Sequence, residues 1–114
     1  AHGLRVGNVF HAGDGNLHPN LSFDARDPDQ LARVEAASRE IVEVCVAAGG
    51  TITGEHGVGV DKRKYMPLVF GPDDLGLMRA VRDVFDPSGL ANPGKVLPAD
   101  AGPWGPWSAE SRSA

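Results

Sequence analysis

Apolar and polar positions along this chain follow two different periods. Over residues 4–10 they alternate, with Leu4, Val6 and Phe10 on one side, which predicts a half-buried strand. Residues 12–16 carry two glycines, an Asp and an Asn, all turn formers. Alternation resumes over residues 17–23, with Leu17, Pro19, Leu21 and Phe23 facing one way and His18, Asn20 and Ser22 the other. Two strands around a five-residue Gly-rich turn predict a β-hairpin. Pro19 has no N–H for a ladder bond, so its strand is expected at a sheet edge or bulged there.

The period then becomes helical. Asp27 suits an N-cap, Pro28 the first helical position, and Gln30 completes a capping-box pattern. Leu31, Val34, Ile41, Val44, Cys45 and Ala48 form an apolar stripe, and Gly49-Gly50 stops the helix. Residues 51–53 read as a short extended segment, and residues 54–59 as a glycine-rich loop. Residues 62–66 predict a helical turn before Pro67. A second helix is expected from Pro72 to about Phe85, with Leu75, Met78, Val81 and Phe85 on its apolar face, ending at Asp86-Pro87. Residues 91–98 form an extended arm punctuated by Pro and Gly. The fold class is thus α+β, with antiparallel strands packed on the 27–48 helix, two main helices and a closing arm, all within residues 1–98. Residues 99–114 have no periodicity and are expected to be a disordered tail, or one packed only through Trp104 and Trp107. No internal repeat is present.

A chain of 114 residues suits one small domain, and 41% hydrophobic residues allow a modest core. The net charge of −4 argues against a general nucleic-acid binder, which needs a basic face. No apolar run approaches the ~18 residues of a membrane span, and the first residues lack the apolar stretch of a signal peptide. The chain does not begin with Met, so a fragment or a processed chain is expected. The single Cys45 excludes an internal disulfide framework. A cytoplasmic protein is the expectation from these features.

Chemistry concentrates in two places. His11 and His18 stand at the shoulders of the hairpin turn, and Glu55-His56 lie in a glycine-rich loop that permits close backbone approach. Two imidazoles and a carboxylate suit a divalent transition metal, zinc being the usual occupant, with a position left open for water or substrate. The same residues also read as strand histidines bonded to neighbours and a solvated carboxylate. His2 reads as a solvated terminal residue and Cys45 as an inert thiol on its helix stripe. The run Lys62-Arg63-Lys64 reads as a solvated face that could also attract an anionic substrate. Gly13-x-Gly15 and Gly57-x-Gly59 lack the strand–GxGxxG–helix context of a dinucleotide fingerprint.

Three segments in one order carry a resemblance: His11-Ala12-Gly13-Asp14-Gly15-Asn16-Leu17-His18-Pro19-Asn20, Gly54-Glu55-His56-Gly57-Val58-Gly59, and Asn92-Pro93-Gly94-Lys95. Together they resemble FAD-linked oxidases of the vanillyl-alcohol oxidase type. That family includes the flavin subunit of glycolate oxidase, D-lactate dehydrogenases and D-2-hydroxyglutarate dehydrogenases. The resemblance covers roughly residues 4–98. It implies the end of a substrate-binding cap domain, with most FAD contacts made by an N-terminal domain outside this chain. It implies His11, His18 and Glu55 as metal ligands, Asn20 as a substrate contact and His56 as the active-site base beside substrate and flavin. Asn92 is implied in the closing segment that returns to the FAD. The activity implied is oxidation of a small 2-hydroxy acid, such as glycolate or D-lactate, with an iron–sulfur or other electron-transfer subunit as a partner, through which membrane association could arise. The alternative is a metal-binding or interaction domain without catalysis of its own, needing a separate FAD domain. Self-association of the chain alone is also expected.

Overall fold

The structure, a computed structural model, describes residues 2–99. The tail expected over 99–114, with Trp104 and Trp107, lies outside the described residues apart from Ala99. The chain divides into two units, Ala1–Glu55 and His56–Ala114.

The first unit holds a hairpin and a helix. β1 (Arg5–His11) pairs antiparallel with β2 (Asn16–Ser22), from Arg5 opposite Ser22 to His11 opposite Asn16. Because Asn16 is already in the ladder, the turn has four residues rather than five. It is closed by the Asp14 N–H donating to the His11 carbonyl at 3.1 Å. Gly15 takes φ 67°, the left-handed region where a side chain is costly. Pro19 sits opposite Asn8, and since the sheet has two strands every position is an edge position, where a missing donor is tolerated. The expected burial of Leu4, Val6 and Phe10 is corrected. Leu4 is half-buried and every residue of β1 is exposed. Alternation marks a face of the ribbon, but these residues supply no second layer to cover it.

α1 spans Pro28–Ala47. The Asp27 side chain accepts from the N–H groups of Asp29 (3.0 Å) and Gln30 (3.3 Å). Gln30 differs from a simple capping box. Its Nε2 donates to Asp27 at 2.9 Å, while its Oε1 accepts from the Asp24 N–H, upstream of the cap, at 3.1 Å. The helix ends in a Schellman motif: Gly49, at φ 82°, donates to Val46 and Gly50 donates to Cys45, both at 2.9 Å. A Cβ on Gly50 would lie 2.8 Å from the Cys45 carbonyl oxygen, so glycine is required by space. The apolar stripe is also corrected. Ala37 alone is buried within α1, while Leu31, Ile41 and Val44 are exposed. Residues 51–53 form no strand, and Ile52 is buried there. His2 is not merely solvated, since it pairs with Glu40 at 2.6 Å. That contact holds the Glu40 carboxyl below its ordinary range.

In the second unit, residues 56–59 form a loop and a 3-10 helix covers Arg63–Leu68, running through Pro67 where the sequence predicted a stop before it. α2 spans Pro72–Phe85 as expected. Its start is fixed by the Asp74 carboxylate, which accepts from the Gly71 N–H at 2.9 Å. Asp73 and Asp74 in the first turn and Arg82 in the last suit the helix dipole. The buried face consists of Leu75, Gly76 and Arg79, with Val81 and Phe85 exposed, so the expected face is rotated. Tyr65, Met66, Leu75 and Leu97 make the core of this unit. Burial of each Leu or Met here contributes about 1.5–3 kcal/mol.

Candidate metal centre

Hairpin register creates the candidate site. Val9 lies opposite His18, and His11 opposite Asn16, so His11 and His18 are diagonal neighbours on one face of the ribbon. Their rings meet edge to face, with centroids 5.4 Å apart. By the two-residue period Asn20 shares that face. Its amide donates to the His18 carbonyl at 3.3 Å. Glu55 arrives from the end of the same unit. Its Oε1 lies 3.1 Å from His18 Nε2 and 3.5 Å from His11 Nε2.

What lets Glu55 come so close is Gly54. A Cβ at Gly54 would fall 2.2 Å from Asn16 Oδ1 and 2.7 Å from Asn16 Cγ, so a side chain there would force the Asn16 amide aside. Asn16 and Gly54 therefore pack against one another next to Glu55. Asn16, a turn former by residue type, thus also serves in packing. The only signal of this contact in the sequence is the adjacency of Gly54 to Glu55.

The three residues fit a metal. Each offers one ligand atom, and these atoms all lie within 4.8 Å of one another. Tetrahedral ligands at about 2.0–2.2 Å from zinc are separated by roughly 3.3–3.6 Å, close to the distances observed. Side-chain exposure is 20% for His18 and 53% for both His11 and Glu55, so the cluster is reachable from solvent on one side. His56 begins the second unit and is exposed.

Asn92 belongs to the 91–98 arm, which has no regular element yet is tightly held. The Arg82 guanidinium donates to the carbonyls of Ala91, Asn92 (3.2 Å) and Lys95 (3.5 Å). Asp86 accepts from the N–H groups of Leu90 (3.0 Å) and Ala91 (2.9 Å). Burial raises the pKa of Asp86, but those two N–H donors and the Arg82 charge together outweigh it, and the carboxyl sits below its ordinary range. Arg63 donates to the Gly94 carbonyl, and Arg79 to that of Pro98 at 2.6 Å. The Val96 N–H donates to the Gly59 carbonyl at 2.8 Å, tying the arm to the loop that begins at His56. Asn92, Gly94 and Val96 take φ of 46°, 70° and 70°. For a β-branched Val this is strained by about 1–3 kcal/mol, which the surrounding bonds hold in place. The basic run is thus divided, with Arg63 on the arm and Lys64 over the Tyr65 ring at 5.3 Å. These arginine contacts were not legible in the sequence.

A cleft of about 220 Å³ lies in the second unit, lined by Arg63, Arg79, Arg82, Pro93 and Lys95 among others. It is below the ~300–1,000 Å³ typical of ligand pockets and would not enclose a dinucleotide. Cys45 is half-buried with its thiol 3.5 Å from the Thr51 carbonyl, a structural position.

Residues 1–96 match the family described as FAD linked oxidases, C-terminal domain. The chain is 52% identical over 95 residues to glycolate oxidase subunit GlcD of Escherichia coli, covering 83% of the chain and 19% of that protein. The corresponding subunit of Bacillus subtilis is 47% identical over 91 residues, covering 80% and 19%. D-2-hydroxyglutarate dehydrogenase of Stutzerimonas stutzeri is 42% identical over 91 residues, covering 78% and 20%. The chain spans about a fifth of the length of the curated relatives it matches. With the family matched along nearly the whole described chain, it belongs to the FAD linked oxidases through their C-terminal domain.

Proposed function

We propose that this chain is the metal-binding and proton-accepting part of an FAD-dependent oxidoreductase that converts a small 2-hydroxy acid to the 2-oxo acid. The observation that carries the reading is the convergence of His11, His18 and Glu55 from two distant motifs onto one point. The names of the relatives support the substrate class, glycolate and D-lactate being the simplest candidates. The word subunit in the name of the first relative supports a partner protein, iron–sulfur or otherwise, that takes up the electrons. Binding of most of the flavin falls to a domain outside this chain.

A divalent ion on these ligands, zinc by the donor set, supplies Lewis acidity at the substrate hydroxyl, and FAD supplies the hydride acceptor. His56, as a neutral imidazole, accepts the hydroxyl proton. Asn20, on the ligand face of the hairpin, orients the substrate by hydrogen bonding. Asn92, in the clamped arm, contributes to the flavin side. The neighbours Glu55 and His56 divide the work, one holding the metal and the other moving the proton.

The test uses the chain together with its flavin domain, assayed with glycolate and D-lactate. His56→Ala lowers turnover on the order of 100-fold or more while metal content and the flavin spectrum persist. Near-normal turnover removes His56 from the reaction. Protein that binds metal without any flavin band indicates a metal-binding domain without catalysis.

A further inference from the structure

Outside the His11–His18–Glu55 cluster, the 91–98 arm is held by side chains rather than by a regular element. Arg82 gathers three of its carbonyls from the last turn of α2. Asp86, one helical turn further on and 3.8 Å from Arg82, fixes the N–H groups at the arm's entry. Both side chains are largely covered, 20% and 15% exposed. Arg63 holds the carbonyl of Gly94, and a Cβ at Gly94 would lie 3.2 Å from that guanidinium. From the other side the Val96 N–H reaches Gly59, three residues after His56. Two non-glycine residues of the arm, Asn92 and Val96, take left-handed φ of 46° and 70°, and these bonds help to hold them there.

The planar guanidinium spans its two outer nitrogens, Nη2 serving Ala91 and Asn92 while Nη1 reaches Lys95, a separation that the single nitrogen of an ammonium lacks. The bonding joins two segments of the second unit that carry chemistry, the loop beginning at His56 and the arm carrying Asn92. We propose that Arg82, with Arg63 and Asp86, is a positioning residue. It locks the 91–98 arm to α2, while the Val96 N–H bond to Gly59 ties the arm to the loop that begins at His56, so that Asn92 meets the flavin in a fixed relation to the base. This rests on the functional reading above for the flavin, but the clamp itself is read without one.

The experiment uses the protein with its flavin domain, as wild type, Arg82→Lys and Arg63→Lys, with FAD as the probe. Backbone hydrogen exchange reports the arm, and FAD affinity and the flavin absorption spectrum report its consequence. In Arg82→Lys, exchange over residues 91–96 rises at least about 10-fold while α2 keeps its protection and the thermal midpoint stays near wild type. FAD affinity falls by on the order of 10-fold and the flavin band shifts. Arg63→Lys shows the same pattern more weakly, centred on residues 94–96, and supplies the reading should Arg82→Lys fold poorly. Unchanged arm exchange in both variants overturns the clamp. Faster arm exchange with unchanged FAD affinity and spectrum overturns the positioning role. Wild-type protein that takes up no FAD overturns the functional reading and the flavin half of the proposal with it, a distinct result because arm exchange is measured in the same samples.

Discussion

Gly54 shows how much one residue controls here. Its side-chain-free backbone passes within contact of Asn16, and the next residue, Glu55, then reaches both imidazoles. Gly54→Ala therefore forces Asn16 aside and shifts the carboxylate. We expect divalent-metal affinity, measured by calorimetry, to fall on the order of 10-fold, as when a ligand loses its support. Adding Asn16→Ala to Gly54→Ala makes room and restores most of that loss. Unchanged affinity in Gly54→Ala contradicts the packing account. The candidates His11, His18 and Glu55 were legible in the sequence because His, Glu and Gly at the shoulders of turns are chemically distinctive, and the structure brings the three together. Their support by Asn16 was not, because a close approach between residues 38 positions apart leaves no local pattern.

At the scale of elements, both long helices lie where their caps put them. Asp27, Pro28, Gly49 and Gly50 bound α1, and Pro72 and Asp86 bound α2, because cap chemistry is local. The buried faces differ from those that periodicity predicts. Leu31, Ile41 and Val44 on α1, and Val81 and Phe85 on α2, have the spacing of core residues but face outward. Periodicity identifies a stripe without saying which partner covers it. The arm was legible as irregular from its Pro and Gly content, but its arginine clamp was invisible, since long-range donors to backbone carbonyls follow no spacing. Cap chemistry also yields a pH prediction. The Gln30 side chain and the N–H groups of Gln30 and Asp29 hold Asp27 below the ordinary carboxylate range. A group whose folded pKa is depressed stabilises the fold above its unfolded value of ~3.9, and that contribution disappears as pH falls through the lower folded value. Asn caps helices comparably without titrating. The helical circular-dichroism signal of Asp27→Asn should therefore lose less between neutral pH and about pH 2 than wild type does. Identical acid profiles contradict the assignment of Asp27 as a titrating cap.

Among the described residues of the whole molecule, the dominant fact is exposed apolar surface. Val6, Phe10 and Leu17 share the hairpin face opposite the histidines and are 53%, 56% and 69% exposed. Phe85 and Leu90 in the second unit are 84% and 82% exposed. A two-stranded ribbon with an open apolar face is marginal alone in water, and its strands are templates for further pairing. Since the chain spans about a fifth of its relatives, we propose that the rest of such a protein covers these faces. The chain by itself should self-associate and bind an apolar dye, as read by light scattering and dye fluorescence. A monodisperse monomer with no dye signal contradicts this. We propose that His11, His18 and Glu55 hold the metal that activates a 2-hydroxy acid for oxidation by FAD. The most direct measurement is anaerobic bleaching of the flavin band on mixing with glycolate or D-lactate. It is made on the protein with its flavin domain, wild type against Glu55→Ala, with metal content determined on the same samples. The account predicts rapid bleaching in wild type, and in Glu55→Ala an intact flavin spectrum, lost metal and bleaching slowed on the order of 100-fold or more. Bleaching at the wild-type rate by a metal-depleted Glu55→Ala protein would contradict it.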